Sequence, residues 1–348
     1  MFIRSTYYTL VNQMIKVNLY NQASSSGRGV GFYAELLGKA LEETGQVNLT
    51  TDNPDIVHYP FFDLFYPTLP LKKDKPTIVT IHDLTPLVFP ELYPKGVKGN
   101  ISLLRQWLSL QNVAAIITDS ENSKKDIVKY FRISPQKIHV TLLSVDPAYA
   151  KAPSSKEIAL VKDKFNLPDK FILTVAGGPN PNKNLPKLAE ATKNLGIPLV
   201  ITGRGMLQEV SEPVHPELKD LPILKKYPHI IFPGFVATPD LNCMYRLATA
   251  YCQPSLYEGF GMPVLEAMFA KCLVVSSNSS SLPEIYSPST INFKPENQVE
   301  MEAALDRAIH VSASEKARLI KEAEAKAEQF TWERTASATI EVYKRSLK

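Results

Sequence analysis

The stretch PSLYEGFGMPVLEAMFAKCLVV, from Pro254 to Val275, restricts the possible folds of this chain more than any other. It reads as a loop, then a helix, then a buried strand. The preceding LATAYCQPS is small and apolar enough to be a strand running into that loop. Pro263 suits a first helical position, where its missing N–H would be unpaired anyway. Val264 to Ala270 are good helix formers, and CLVVSS is a short β-branched run. Glu258 falls in the loop, and Glu266, eight positions on, in the first turn of the expected helix. Between them Gly259-Phe260-Gly261 lets the backbone approach a ligand closely, and a helix start is a ready anion site. An ordinary capping loop with a surface carboxylate would look similar, and either Glu taken alone fits that plainer reading.

Strand and helix alternate along the rest of the chain, which implies parallel sheets. IKVNLY (15–20) leads into SSSGRGVGFYAELLGKALEE, a strand, a glycine-rich turn and a helix. Gly27, Gly29 and Gly31 are not spaced as the dinucleotide fingerprint. They mark a tight turn, or backbone amides facing a ligand. Extended segments follow at VNLTT, DIVHYPFF and PTIVTIHDL. The last sets His82 and Asp83 at the carboxyl end of a strand, the edge where open α/β sheets bind ligands. A His there is about as often a structural hydrogen-bonder as a site residue, and Asp83 is expected to cap the next turn. GNISLLRQWLSLQNVA reads as a helix whose Leu103, Leu104, Trp107, Leu108 and Leu110 face the core, with a membrane-surface helix as the alternative. Strand AAIITDS, helix ENSKKDIVKYFRI with Ser120 as its cap, and strand KIHVTLLSVD complete a first domain, with Ser123 and Lys124 pointing toward a cleft mouth.

A polar, Pro-containing stretch over 147–168 reads as a linker with a short helix. KFILTVAGG then opens a second series: helix NLPKLAEATKNL, strands PLVITG and HIIFPGF, and helix TPDLNCMYRLA with Thr238 as N-cap. The loop GGPNPNKN (177–184) ends that domain's first strand. Lys183 in most loops is a solvated surface charge; at the edge of a phosphate-binding sheet its ammonium can neutralise a diphosphate. Beyond Glu296 the tail reads as three helices.

The string from Pro254 to Val275 closely resembles the signature of glycosyltransferase family 4, retaining enzymes of the GT-B fold, and SNSSSLPEI (277–285) resembles its continuation. GRGVGFYAELL is similar to the family's first glycine loop, and TIHDLTPLVFPELYP to a block whose His reaches the donor sugar. ITDSENSKKDI, KIHVTLLSVD and FTWERTA resemble further landmarks, so the likeness runs from about Ile15 to Leu347. It implies an α/β GT-B fold: two facing Rossmann-like domains with parallel sheets and an interdomain cleft. The acceptor-side domain would span 14–155 and the nucleotide-sugar domain 168–328, with a helix over 331–348 crossing back to the first domain.

By the same resemblance, Glu258 meets the donor sugar's hydroxyls, Gly259, Phe260 and Gly261 meet sugar and diphosphate, and Glu266 holds the ribose. Gly29 and Gly31 lie near the diphosphate, and His82 contacts the sugar. The implied catalytic set is His82, Lys183 and Glu258; the donor-binding set adds Asn182 and Arg204. The family usually carries an Arg beside this Lys or slightly upstream. Here Asn182 stands beside it, one cation is missing, and Arg204 in TGRGM is a candidate replacement. The implied reaction is retaining transfer of a sugar from a nucleotide-diphosphate donor to a hydroxyl acceptor, by same-face attack, with neither Glu required as a nucleophile. With no D-x-D motif and no His/Cys cluster of metal-ligand spacing, metal independence and no cofactor beyond the nucleotide sugar are expected. The style of the first-domain motifs is nearest to bacterial polysaccharide mannosyl- and rhamnosyl-transferases. It points to GDP- or dTDP-sugars, with UDP-sugars in the wider set, and to a carbohydrate or lipid-linked acceptor.

Composition limits the other options. At 348 residues the chain can form two domains with their own cores. Its net charge of +4 is spread evenly, with 15 basic and 13 acidic groups over residues 1–150, so no basic half suggests nucleic acid. Cys243, Cys252 and Cys272 sit in apolar surroundings and are expected to be reduced core residues of a cytosolic protein. No apolar run reaches membrane-spanning length, and MFIRSTYYTLVNQ is too polar for a signal peptide. The fold is expected to begin near Met14, the first thirteen residues being an extension or a misassigned start. A cytoplasmic location follows, with peripheral association at the inner face of the membrane left open. Three alternatives stand beside the transferase reading: another GT-B enzyme such as a sugar-nucleotide epimerase, a catalytically weak glycosyltransferase-like binding or scaffold subunit, and a hinged solute-binding protein.

Overall fold

The computed structural model describes residues 14–20, 29–209 and 216–348; Gly27 lies outside them. The chain divides into two compact units. The first holds the residues up to Leu84, then Lys95–Ser144 and Phe330–Lys348; the second holds Thr85–Pro94 and Val145–Gln329.

The first unit is built on β1 (Ile15–Leu19), β2 (Val47–Leu49), β3 (Ile56–Tyr59), β4 (Thr77–Thr80), β5 (Ala115–Thr118) and β6 (Ile138–Val140). They form one parallel sheet in the order β2-β1-β3-β4-β5-β6. β4 and β5, TIVT and AIIT, are buried at every position. Sheets covered on both faces use such unbroken runs.

The C-terminal helix Trp332–Ser346 packs on the Gly29–Glu43 helix of this unit. Thr331 caps it by accepting the Arg334 amide at 3.2 Å, and Ile340 and Tyr343 are buried. Further ties come from Thr335 Oγ1 to the Leu142 carbonyl at 2.6 Å and from Ser144 Oγ to the Phe330 carbonyl at 2.9 Å.

The Gly96–Leu110 helix corrects a sequence expectation. Gln106, Ser109 and Leu110 are its buried residues, and Trp107 Nε1 donates to the Phe131 carbonyl at 3.1 Å. Leu104 and Leu108, expected to face the core, point outward with Val97 and Ile101; the four are 58%, 48%, 78% and 65% exposed. Their spacing of four, three and four residues makes one stripe along the helix. The inward face is closed by polar side chains instead, Gln106 Nε2 donating to the Asp63 carbonyl at 2.5 Å and to Thr68 Oγ1 at 2.9 Å.

The second unit is built on β7 (Ile172–Val175), β8 (Leu199–Thr202), β9 (Ile230–Gly234), β10 (Ala250–Gln253), β11 (Val274–Ser277) and β12 (Ile291–Phe293). These also pair in parallel, in the order β12-β11-β10-β7-β8-β9. Counted within the unit this is 6-5-4-1-2-3, the dinucleotide-domain order 3-2-1-4-5-6 read from its other edge. The direction of winding reverses between β7 and β10, so their carboxyl-end loops flank the switch point. Leu188, Leu199, Ile201, Val275, Phe293, Met301 and Leu305 lie in its core. Fully burying such a side chain contributes about 1.5–3 kcal/mol.

Helix starts follow the sequence with two shifts of a residue or more. The Thr238–Leu247 helix has Ala237 as its extended N-cap, so Thr238 is its first helical residue and not the cap. Its hydroxyl bonds Tyr149 instead. The Met262–Phe269 helix has Gly261 as its N-cap, so Pro263 is its second residue and not its first, and Glu266 is its fifth, beyond the first turn. Ser120 does cap its helix, accepting the Ser123 amide at 3.1 Å. Ser123 is buried and donates to the His82 carbonyl at 3.0 Å, so it does not point outward. All three cysteines are free and buried.

Candidate active site

The second unit gathers several sequence-predicted residues at the carboxyl edge of its sheet. Lys183 ends a short 3-10 turn, Pro181–Lys183, after β7, and Glu258 follows β10. Lys183 Nζ lies 2.8 and 2.9 Å from the two Glu258 carboxylate oxygens. Glu258 Oε1 also accepts from Ser255 Oγ at 2.6 Å and Gln253 Nε2 at 2.8 Å, and its backbone N–H donates to Ser280 Oγ. The Gln253 amide is in turn held by the buried Tyr251 hydroxyl. A carboxylate fixed by several donors keeps one orientation, which is the preorganisation that charge recognition requires.

Gly259, Phe260 and Gly261 form the tight turn after Glu258. Gly261 has φ 120°, and a Cβ there would come within 2.7 Å of the Leu282 side chain, so only glycine fits. The Phe260 ring is buried. Ser281 Oγ pins the turn by donating to the Glu258 and Phe260 carbonyls at 2.9 and 2.7 Å.

Asn182 is used inside the protein. It is 6% exposed, accepts from the Tyr93 hydroxyl at 2.7 Å and donates to the Tyr257 carbonyl at 3.0 Å. Its own carbonyl takes the Leu256 amide at 2.8 Å. The side chain therefore ties the Lys183 loop to the Glu258 loop and does not itself face outward. Arg204, at the end of β8, is exposed, with its guanidinium 4.9 Å from the Phe235 ring centroid. The flanking Gly203, at φ 149°, would place a Cβ 2.8 Å from the Gly177 backbone, so the loops after β7 and β8 touch through glycines.

Glu266 sits in a different setting from Glu258. The Tyr245 hydroxyl donates to its Oε2 at 2.8 Å, and Tyr149 supplies a second hydroxyl. Burial pushes the carboxyl up to about 7; the two hydroxyls pull it down, and nearby Asp146 adds a smaller upward push. The ring contacts Tyr149–Tyr245 (5.9 Å) and Tyr245–Tyr251 (5.4 Å) run from Glu266 toward the residues that hold Glu258.

In the first unit, Gly29 is the exposed first residue of its helix, and Gly31 is buried two positions on. His82 follows β4, with Nδ1 2.6 Å from Asp119 Oδ2 and Nε2 3.1 Å from the Pro60 carbonyl oxygen. Both ring nitrogens are thus engaged within the unit. Sequence reading missed Asp119, Gln253, Ser255, Tyr149 and Tyr245. Each lies on or beside a hydrophobic strand or helix, and only the folded chain shows which carboxylate or imidazole it meets. Among the described residues no group of three or more His, Cys, Asp or Glu is arranged to hold a metal ion.

The family model described as "Glycosyl transferases group 1" matches residues 156–326, and "Glycosyltransferase Family 4" matches residues 19–149. Among solved structures, a sucrose-phosphate synthase from Thermosynechococcus elongatus aligns with TM-score 0.71 at 16% identity, over 95% of this chain and 98% of that one. Anabaena Alr3699/HepE in complex with UDP aligns with TM-score 0.69 at 15% identity, over 95% of this chain and 100% of that one. The two parallel-sheet units define an α/β protein of the GT-B fold class. The chain belongs to glycosyltransferase family 4. The serotype-specific mannosyltransferase WbdA of Escherichia coli is 28% identical over 321 residues, covering 89% of this chain and 39% of that protein. The E. coli O-antigen chain mannosyltransferase B is 29% identical over 275 residues, covering 77% of this chain and 70% of that protein. The chain thus spans about two-fifths of the WbdA length.

Proposed function

We propose that this chain transfers a sugar, mannose being the first candidate, from a nucleotide-diphosphate donor to a hydroxyl of a carbohydrate or lipid-linked acceptor, with retention of configuration and without a metal. The observation that carries the reading is the Lys183–Glu258 pair, held at the switch point of a sheet with dinucleotide-domain order. Negative charge develops on the departing diphosphate, and a preplaced ammonium stabilises it. Lys183 has that chemistry, with Arg204 on the adjacent loop as a second cation. Glu258 accepts sugar hydroxyls, the Gly259–Gly261 backbone meets sugar and diphosphate, and Glu266 accepts ribose hydroxyls. The mannosyltransferase relatives put mannose first among the sugars, and GDP-, dTDP- and UDP-sugars are the candidate donors.

A peripheral membrane location is part of the same reading. The outward stripe of Val97, Ile101, Leu104 and Leu108 suits the headgroup boundary of a bilayer. Its helix has no acidic residue, and the exposed Lys98 lies on one flank with Lys95 at the start. That charge complements anionic lipid. No helix among the described residues is long and apolar enough to cross a membrane.

The test is a panel of GDP-, dTDP- and UDP-sugars scored by thermal stabilisation and by slow donor hydrolysis. One nucleotide class should raise Tm and release its diphosphate. A chain that ignores every nucleotide sugar contradicts the proposal; one that binds a donor but never releases diphosphate is the weak binding subunit instead.

A further inference from the structure

His82 is held on both sides, by the Asp119 carboxylate and the Pro60 carbonyl. Both partners are acceptors, so the arrangement is satisfied when both ring nitrogens carry hydrogen, whereas a neutral imidazole carries one. The shared proton could instead rest on Asp119. Ordinary values near 6.5 for His and 3.9 for Asp favour nitrogen; burial raises Asp119 above its ordinary value, and the charge and hydrogen bond of His82 oppose that rise. Burial of the ring works against the charge, but Asp119, the Pro60 carbonyl and Asp83 together outweigh it and raise His82 above its usual value.

The surroundings agree. Asp119 is 2% exposed, and its Oδ1 is buried with no hydrogen-bond partner among the described residues. A buried carboxylate so poorly solvated needs a neighbouring cation. Tyr33, from the Gly29–Glu43 helix, meets the His82 ring edge-on at 4.8 Å, and burial raises its phenol far above the working range, so it stays neutral. His58, from β3, is pushed down to about 3 by burial and then by the His82 charge, so it is neutral too. Ser123 brings only a hydroxyl, to the His82 carbonyl. The His82 side chain keeps 18% of its surface exposed, at the carboxyl edge of β4.

We propose that Asp119 is the positioning residue that keeps His82 doubly protonated, so that the first unit presents a fixed cation at this edge and not a general base. What the cation acts on rests on the sugar-transfer reading: it favours an electron-rich oxygen of a sugar or phosphate that reaches this edge. Asp119→Asn keeps an acceptor for Nδ1 but removes the charge that holds the second proton.

The experiment is a pH titration of the histidine ¹⁵N resonances in the full chain, with His82 assigned from His82→Gln. Wild-type His82 should show the doubly protonated pattern well above pH 6.5, and Asp119→Asn should lower its midpoint by roughly one to three pH units. Transfer by the wild type should fall as pH rises through the His82 midpoint. In Asp119→Asn that alkaline fall should move down by the same interval, with kcat lowered more than donor KM is raised. A wild-type His82 that titrates at or below about 6.5 overturns the proposal even if the variant does not fold. So does a variant that is less stable but has an unmoved midpoint. If the midpoints move as expected and no sugar is transferred, the Asp119 assignment stands and the transferase reading fails.

Discussion

At the residue scale, the Asn182 side chain changes what the missing Arg means. Asn182→Arg, which would restore the family pattern, puts a guanidinium where a buried amide serves the Tyr93 hydroxyl and the Tyr257 carbonyl. Each buried partner left unsatisfied costs about 1–3 kcal/mol. The variant should therefore lose Tm, by roughly 2–4 °C per kcal/mol, without gaining turnover, and a melting curve with a parallel rate assay checks both. Glu266 carries a second prediction. With its carboxyl near 7 and its ionised form accepting ribose hydroxyls, nucleotide affinity should rise as pH goes from 6 to 8. Glu266→Gln should bind roughly tenfold more weakly or worse at pH 8, with little pH dependence; calorimetry at several pH values reads both. Lys183 and Glu258 were legible as residue types in suggestive loops, and Glu266 on the helix that follows the second of them. That Lys183 would chelate Glu258, and that Glu266 would lie between two tyrosines, was not. Those pairings join residues up to 117 positions apart, from Tyr149 to Glu266, and leave no periodic trace in the sequence.

At the element scale, hydrophobic periodicity located the helices but did not say which apolar face turns inward. The Gly96–Leu110 helix has apolar residues around much of its circumference, and polar Gln106 took the inner side because the Asp63–Thr68 turn offers it partners, with Ser109 beside it donating to the Gln106 carbonyl. The exposed stripe predicts sedimentation with vesicles containing phosphatidylglycerol, much weaker with phosphatidylcholine alone. Ile101→Glu with Leu104→Glu should abolish it while leaving the melting curve intact; stable binding of that variant contradicts the membrane reading. The C-terminal helix brings Tyr343 to His58, whose Nδ1 and Nε2 bond the Tyr343 and Thr80 hydroxyls at 2.8 and 2.9 Å. A His kept neutral down to about 3 binds fewer protons folded than unfolded between that value and 6.5. Its contribution to stability is thus complete above about 6.5 and is lost as pH falls, by up to about 1.4 kcal/mol per pH unit. Denaturant unfolding at pH 7 and 5.5 should show that loss, and His58→Asn should show less of it.

At the scale of the whole molecule, βα alternation was enough to read two α/β series, because a parallel sheet needs a crossover after each strand. The strand orders were not legible. They depend on which edges meet, and only the order in the second unit shows that the loops after β7 and β10 flank a switch point. Thr85–Pro94 joins the second unit through Tyr93 to Asn182 and through Phe89 against Tyr257, long-range contacts with no local signal. The central claim is that this switch point handles a nucleotide-diphosphate sugar through Lys183 and Glu258. The most direct measurement is single-donor turnover by wild type and Lys183→Ala, with the anomeric configuration of the product read by proton NMR. The account predicts a retained configuration for wild type and a loss of roughly a hundred- to a thousandfold in turnover for Lys183→Ala, with some loss of Tm because the Glu258 carboxylate loses its partner. An inverted product, or a Lys183→Ala variant that turns over like wild type, would contradict it.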